Sequence, residues 1–99
     1  MGIYGGFSSH IPVPSIDLCE IKDRGQIPLA HLAVVADAAT TPFQAAKRAD
    51  LQPGDNVVVI GITGGVGQYV GQTAKALGAK TVVGIARNKE KLERALKFG

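Results

Sequence analysis

The chain has 99 residues, 45% of them hydrophobic, a formal net charge of +3 and 19% charged residues, which excludes a disordered composition and permits a real core. The longest apolar runs, such as Leu32 to Ala36 and Val57 to Ile60, fall far short of the roughly 20 residues that span a bilayer. No basic-then-apolar leader follows Met1, and Cys19 is the sole cysteine, so cytosolic residence is the default expectation, a disulfide within the chain is excluded and Cys19 is read as a packing residue.

The charge is uneven. From Lys75 to Lys97 seven basic residues face Glu90 and Glu93, whereas residues 1–74 carry four basic and six acidic ones. Glu90 and Arg94 stand at i, i+4 spacing for a surface pair. The remaining positive charge suits a phosphate-bearing dinucleotide, and without interleaved aromatic residues it does not point to nucleic acid.

In chain order, residues 3–13 alternate imperfectly and hold a Gly pair and a Pro, so they read as an edge or bulged strand. Leu18 to Ile21 reads as a second short strand, and Lys22 to Gln26 as a loop leading to Pro28. Leu29, Leu32, Ala33, Ala36 and Ala39 recur at helical spacing. Pro42 interrupts them, so two helices are expected to meet near Thr40 and Thr41, the second ending at about Ala49. Gln52-Pro53-Gly54-Asp55 has the residues of a type II turn.

Asn56 to Gly61 contains Val-Val-Val-Ile, a continuous apolar run expected of a parallel strand covered on both faces. Val66, Val70, Ala74 and Leu77 then form a helical stripe, with Gly78 at the C-cap. Thr81 to Ala86 is a second buried strand, after which Asn88 caps a helix with Leu92, Ala95 and Leu96 inward and Gly99 at its end. Strand, helix, strand and helix make the first βαβα half of a doubly wound Rossmann sheet over residues 56–99. Such a unit leaves sheet edges unpaired, and the strands of residues 1–25 need a sheet elsewhere, so the chain is expected to be truncated at both ends.

The chemistry lies in Gly61-Ile62-Thr63-Gly64-Gly65-Val66-Gly67, between the first strand and its helix. A pyrophosphate needs backbone N–H groups, the positive end of a helix dipole and no intruding Cβ. Gly64 and Gly65 supply the close approach, Gly67 the tight helix packing and Gly61 the turn. Ile62 stands where the strict Gly-x-Gly-x-x-Gly pattern has its first glycine. Gln68 follows Gly67, which excludes a Walker phosphate loop, and there is no Gly-x-Ser-x-Gly elbow. An ordinary glycine-rich turn is the competing explanation.

Leu51 to Gly61, Gly64 to Gly67, Ala74 to Ala79 and Asn88 to Leu92, with Gly5 to His10 and Val13-Pro14 upstream, resemble the medium-chain dehydrogenases/reductases of the zinc alcohol dehydrogenase type over nearly the whole chain. Val34 to Ala38 and Thr41 to Ala45 are most similar to members acting on cyclic hydroxyacyl-CoA substrates. The resemblance implies a hydride transfer between an alcohol or carbonyl compound and NAD(P), in a longer and homo-oligomeric parent, with neither nucleic acid nor membrane as partner. Residues 1–39 would be the edge of a β-rich catalytic domain with a linking helix, and 40–99 the N-terminal half of the dinucleotide domain.

An unpaired carboxylate at Asp37, within an apolar helix, needs compensation: a salt bridge, a capping role, exposure, or a metal. The resemblance favours zinc, since Asp37 matches the family's third catalytic ligand, the others falling upstream of Met1. It also places Thr41 and Val66 at the nicotinamide ring and Lys91 near the adenine ribose. Each has an ordinary alternative: a turn residue, a core contact, a surface charge. His10 and His31 have no partner at ligand spacing. Where NAD-selective domains end the second strand with an acidic residue, this chain has Ala86, then Arg87, Asn88 and Lys89, so NADP is the expected cofactor and NAD the alternative. A zinc-free quinone or enone reductase of the same superfamily and a non-catalytic binding protein are the competing functions.

Overall fold

The computed structural model describes residues 5–98. After a 3-10 turn at Ser15–Asp17 come α1 (Leu29–Leu32), a π-helical turn (Val35–Ala39), α2 (Thr40–Arg48), β1 (Asn56–Ile60), α3 (Gly65–Ala76), β2 (Thr81–Ile85), α4 (Lys89–Ala95) and a closing 3-10 turn (Leu96–Phe98). The expected strand–helix–strand–helix order is present, and β1 and β2 pair in parallel with Asn56 opposite Thr81 and Ile60 opposite Ile85. This is the α/β, parallel-sheet class expected.

Local chemistry explains each boundary. Gln52 to Asp55 forms the expected turn, with Asp55 N–H on the Gln52 carbonyl at 3.2 Å and Gly54 at φ 96°. The C-terminus of α3 is closed by Gly78 at φ 93°. Its N–H donates to Lys75 O at 3.0 Å, and that of Ala79 donates to Ala74 O at 3.0 Å, a Schellman closure that satisfies two otherwise orphaned carbonyls. At α4 the Asn88 side chain accepts from Lys91 N–H at 2.9 Å, as the capping pattern predicts. Glu90 and Arg94 pair at 2.6 Å, both largely exposed, and such a pair adds little stability.

Pro42 is fully buried in the first turn of α2. A proline ring crowds the carbonyl four residues earlier. The widened turn upstream makes room for it: Ala39 N–H reaches Val34 O at 3.1 Å, five residues back, and the Thr40 hydroxyl donates to Ala36 O at 3.1 Å. The π turn at Val35–Ala39 therefore runs directly into α2 at Thr40, and the two do not separate.

Several expectations are corrected. Among residues 5–28 there is no strand, either at the described part of 3–13 or at Leu18 to Ile21. Extended backbone becomes a ladder only with a partner, and β1 and β2 pair with each other. Residues 3 and 4 of the first expected strand lie outside the described residues, as does Gly99. Secondly, the sheet is covered on one face. Val59 is buried and Val57, Val82 and Gly84 half-buried beneath α3 and α4, while Val58 and Ile60 are 61% and 82% exposed and Val83 and Ile85 are also exposed. The single crossover, β1–α3–β2, puts α3 on that face, and Leu92 and Ala95 of α4 line the same cavity there as Gly71 of α3 and Val82 and Gly84 of β2. Thirdly, Cys19 is exposed and unpacked, and Leu96, expected inward, is exposed in the closing turn.

The core is correspondingly small: Val59, Pro42, Gly71, Ala74 and Ala79 are its buried members. The radius of gyration is 16.2 Å, against about 13 Å for a compact domain of this length. No helix among the described residues is long and apolar enough to cross a membrane.

Candidate dinucleotide site

The glycine turn lies at the carboxyl end of β1, where open α/β sheets carry their ligands. Gly61 has φ 79°, a left-handed conformation that side chains disfavour. Its N–H donates to Ile85 O at 2.7 Å and its carbonyl accepts from Gly64 N–H at 2.9 Å, so the turn is clamped to the end of β2. Gly64 is the N-cap of α3 and contributes no side-chain cap. The N–H groups of Gly65, Val66 and Gly67 find no carbonyl upstream of the helix. An uncapped helix start of this kind concentrates orphan donors and the positive end of the dipole at one point.

The glycines of the turn have different reasons to lack a Cβ. At Gly67 an added Cβ would collide with the Gly61 carbonyl oxygen and lie 2.8 Å from Gly61 C and 2.9 Å from Ile62 Cα, so helix packing demands glycine there. At Gly64 it would meet Gly61 O at 3.3 Å, a tight contact. At Gly65 it would meet nothing within 4 Å, and the backbone there is not left-handed. Neither packing nor conformation requires glycine at Gly65. Open space in front of uncapped N–H groups is the cradle that a diphosphate would fill.

The other proposed residues fall around this turn. Ala86 and Arg87 follow β2, whose last carbonyl holds Gly61, so the strand end and the turn adjoin. Thr63 and Lys91 line one cleft of about 250 Å³ with Ile62, Gln68, Arg94, Ala95 and Phe98. Arg87, Asn88 and Lys91 are exposed. Val66 is 39% exposed, which removes the core-contact explanation for it. Thr41 is an exposed helical residue of α2 and not a turn residue. The π turn and α2 pack on α3, which keeps Asp37 and Thr41 on the same body as the glycines.

Asp37 is compensated within its own helix: it is exposed and accepts from the Thr41 hydroxyl at 3.0 Å. Among the described residues no group of three or more His, Cys, Asp and Glu side chains is placed to hold a metal. His10 and His31 are both exposed; the His10 ring pairs with the Ser9 hydroxyl at 3.2 Å.

Sequence reasoning missed the contacts of Ile62. Its side chain occupies the space over Gly84 and Gly71. A glycine in the middle of a strand, as Gly84 is in β2, was the available signal, since it often marks a close approach.

No family model matches the chain. Among curated proteins it is 34% identical over 100 aligned positions to alcohol dehydrogenase B of Mycobacterium tuberculosis, covering the whole chain and 26% of that protein. It is 30% identical over 96 positions to the NAD-dependent alcohol dehydrogenase of Sulfurisphaera tokodaii, covering 96% of the chain and 27% of that protein. The chain thus spans about a quarter of the length of these relatives. Among solved structures, the quinone oxidoreductase of Thermus thermophilus, studied also as its complex with NADPH, matches with a TM-score of 0.69 and 31% identity over 75% of this chain and 25% of its own. The alcohol dehydrogenase TADH of Thermus sp. ATN1 matches with a TM-score of 0.63 and 38% identity over 67% of this chain and 19% of its own. Sequence and structural relatives agree with each other and with the glycine turn and its parallel βαβα frame: over the segment it spans, the chain is similar to alcohol dehydrogenases and a quinone oxidoreductase, as the resemblance to the medium-chain dehydrogenases/reductases implies.

Proposed function

We propose that the chain carries the pyrophosphate-binding half of the dinucleotide domain of an oxidoreductase that moves a hydride between NAD(P) and a small alcohol or carbonyl compound. The observation that carries this reading is Gly65, a glycine facing open space at the uncapped first position of α3. In this assignment the N–H groups of Gly65, Val66 and Gly67 bind the diphosphate, and Gly61, Thr63 and Gly64 shape the turn around it. Ala86, Arg87, Asn88 and Lys91 surround the adenosine ribose, and Thr41 and Val66 face the nicotinamide. The nicotinamide supplies the hydride chemistry when bound; this chain's contribution is to hold and orient it. Residues 40–99 belong to that domain, and 1–39 to the edge of a catalytic domain with its linking helix.

The reading favours NADP over NAD. Arg87, exposed and next to the strand end, offers a charge-assisted partner to a 2′-phosphate, and none of Ala86 to Lys89, directly after β2, is a carboxylate that would repel it. The described residues alone do not fit a zinc centre, since Asp37 stands without further ligands, so no step is routed through a metal. Asp37 is proposed as one zinc ligand of the whole protein. The zinc-free reductase is the second reading, favoured by the likeness to the quinone oxidoreductase; stoichiometric zinc in the whole protein would eliminate it.

The test is calorimetric titration of the intact protein with NADP and with NAD, before and after Arg87→Ala, together with kcat/KM for both. The expected result is tighter NADP binding and a higher kcat/KM, with Arg87→Ala lowering the NADP values much more than those for NAD. Equal losses, or preference for NAD in the unsubstituted protein, would overturn the NADP assignment. Binding of neither would overturn the dinucleotide reading.

A further inference from the structure

Ile62 sits inside the turn, half-buried, between Gly61 and Thr63. A Cβ on Gly84 would lie 2.6 Å from Ile62 Cγ2 and 2.8 Å from its Cδ1, and a Cβ on Gly71 would lie 3.2 Å from that Cδ1. Neither Gly71 nor Gly84 has a left-handed backbone. Their lack of a side chain is therefore explained by space. One glycine is in the middle of β2 and the other on α3, one turn beyond Gly67, so strand and helix together form a socket that receives a single side chain from the turn.

Resting on the dinucleotide reading above, we infer that Ile62 is a positioning residue. It pegs the turn to the sheet and to α3, and so sets where the N–H groups of Gly65, Val66 and Gly67 point. Four of the seven residues from Gly61 to Gly67 are glycine, so this backbone loses unusually much conformational entropy on being ordered. A branched side chain held among close-packed atoms opposes that freedom. The turn has three backbone restraints besides, the hydrogen bonds from Gly61 N–H and, at 3.4 Å, from Ile62 N–H to Ile85 O, and that from Gly64 N–H to Gly61 O. These hold the backbone at Gly61 and Ile62, whereas the Ile62 side chain alone reaches across to Gly71 on the helix whose N–H groups face the ligand. Anion binding by preorganised donors depends on placement within about half an ångström, which is the order of movement that an empty socket permits.

The inference separates from simple packing through the choice of ligand. ADP engages the diphosphate cradle, whereas adenosine does not. In the intact protein, Ile62→Ala should weaken ADP about tenfold, the equivalent of one lost charge-assisted hydrogen bond, with adenosine affinity unchanged, and Ile62→Val should restore most of the loss. Gly84→Ala, which forces Ile62 out of its socket, should weaken ADP in the same selective way. Adding Gly84→Ala to Ile62→Ala should bring little further loss, because the peg is already absent. This set remains informative if Ile62→Ala does not fold, through Ile62→Val and Gly84→Ala. Undiminished ADP affinity in folded Ile62→Ala, or parallel losses of ADP and adenosine, would reduce Ile62 to a packing residue and overturn the inference while leaving the dinucleotide reading standing. An unsubstituted protein that binds no ADP would overturn that reading, and this inference with it.

Discussion

Replacing Gly65 with alanine separates the demands of the fold from those of a bound anion. The new Cβ meets nothing within 4 Å, and the residue occupies the first helical position of α3 without a left-handed backbone. The unfolded chain loses conformational freedom and the helix gains a better former, which stabilises by about 0.5 kcal/mol. For a domain of this size that raises the melting temperature by roughly 2–4 °C. A diphosphate lying against the same backbone is pushed away by the methyl group and loses at least one charge-assisted hydrogen bond, about 1.5–3 kcal/mol or roughly 10- to 100-fold in affinity. Scanning calorimetry and ADP titration of the same preparation read the two effects. A stabilised protein that binds ADP as well as its parent would refute the placement of the pyrophosphate; a destabilised one would show that the space in front of Gly65 serves the fold. Gly67→Ala provides the contrast, because its Cβ collides with backbone atoms of Gly61 and Ile62 that cannot turn aside. It should lose stability, by about 1–3 kcal/mol from overpacking, with or without ligand.

Two further outcomes are expected. Asp37→Ala in the intact protein should abolish zinc binding in metal analysis while shifting stability by less than about 0.5 kcal/mol, as an exposed position implies; retained zinc would assign Asp37 to its hydrogen bond with Thr41 alone. Asn88→Ala removes the acceptor for Lys91 N–H and should cost about 1 kcal/mol, read as a lower midpoint in denaturant together with faster hydrogen exchange at the Lys91 amide; an unchanged exchange rate would show that the cap is not formed in solution.

What the sequence determined by itself are the features governed by a few consecutive residues. The turn at Gln52 to Asp55, the stop at Gly78, the Asn88 cap and the glycine turn after β1 are set by local backbone conformation and by short-range hydrogen bonds. For that reason the order of the βαβα unit and the place of its candidate site were legible, as was the pairing of Glu90 with Arg94. The tertiary structure decided whatever depends on partners distant along the chain. The Val-Val-Val-Ile run reads as doubly covered, yet whether Val58 and Ile60 meet a covering layer depends on elements other than the strand, and among the described residues none covers them. The residues before Pro28 carry strand-like patterning without a ladder to join. Pro42 signalled a break, and only the packing around its buried ring turned that break into a π turn that brings the Thr41 hydroxyl onto Asp37. The seat of Ile62 was hidden for the same reason. Gly71 and Gly84 lie 9 and 22 residues beyond it, and their open positions become one socket only after β2 has paired with β1 and α3 has packed across both.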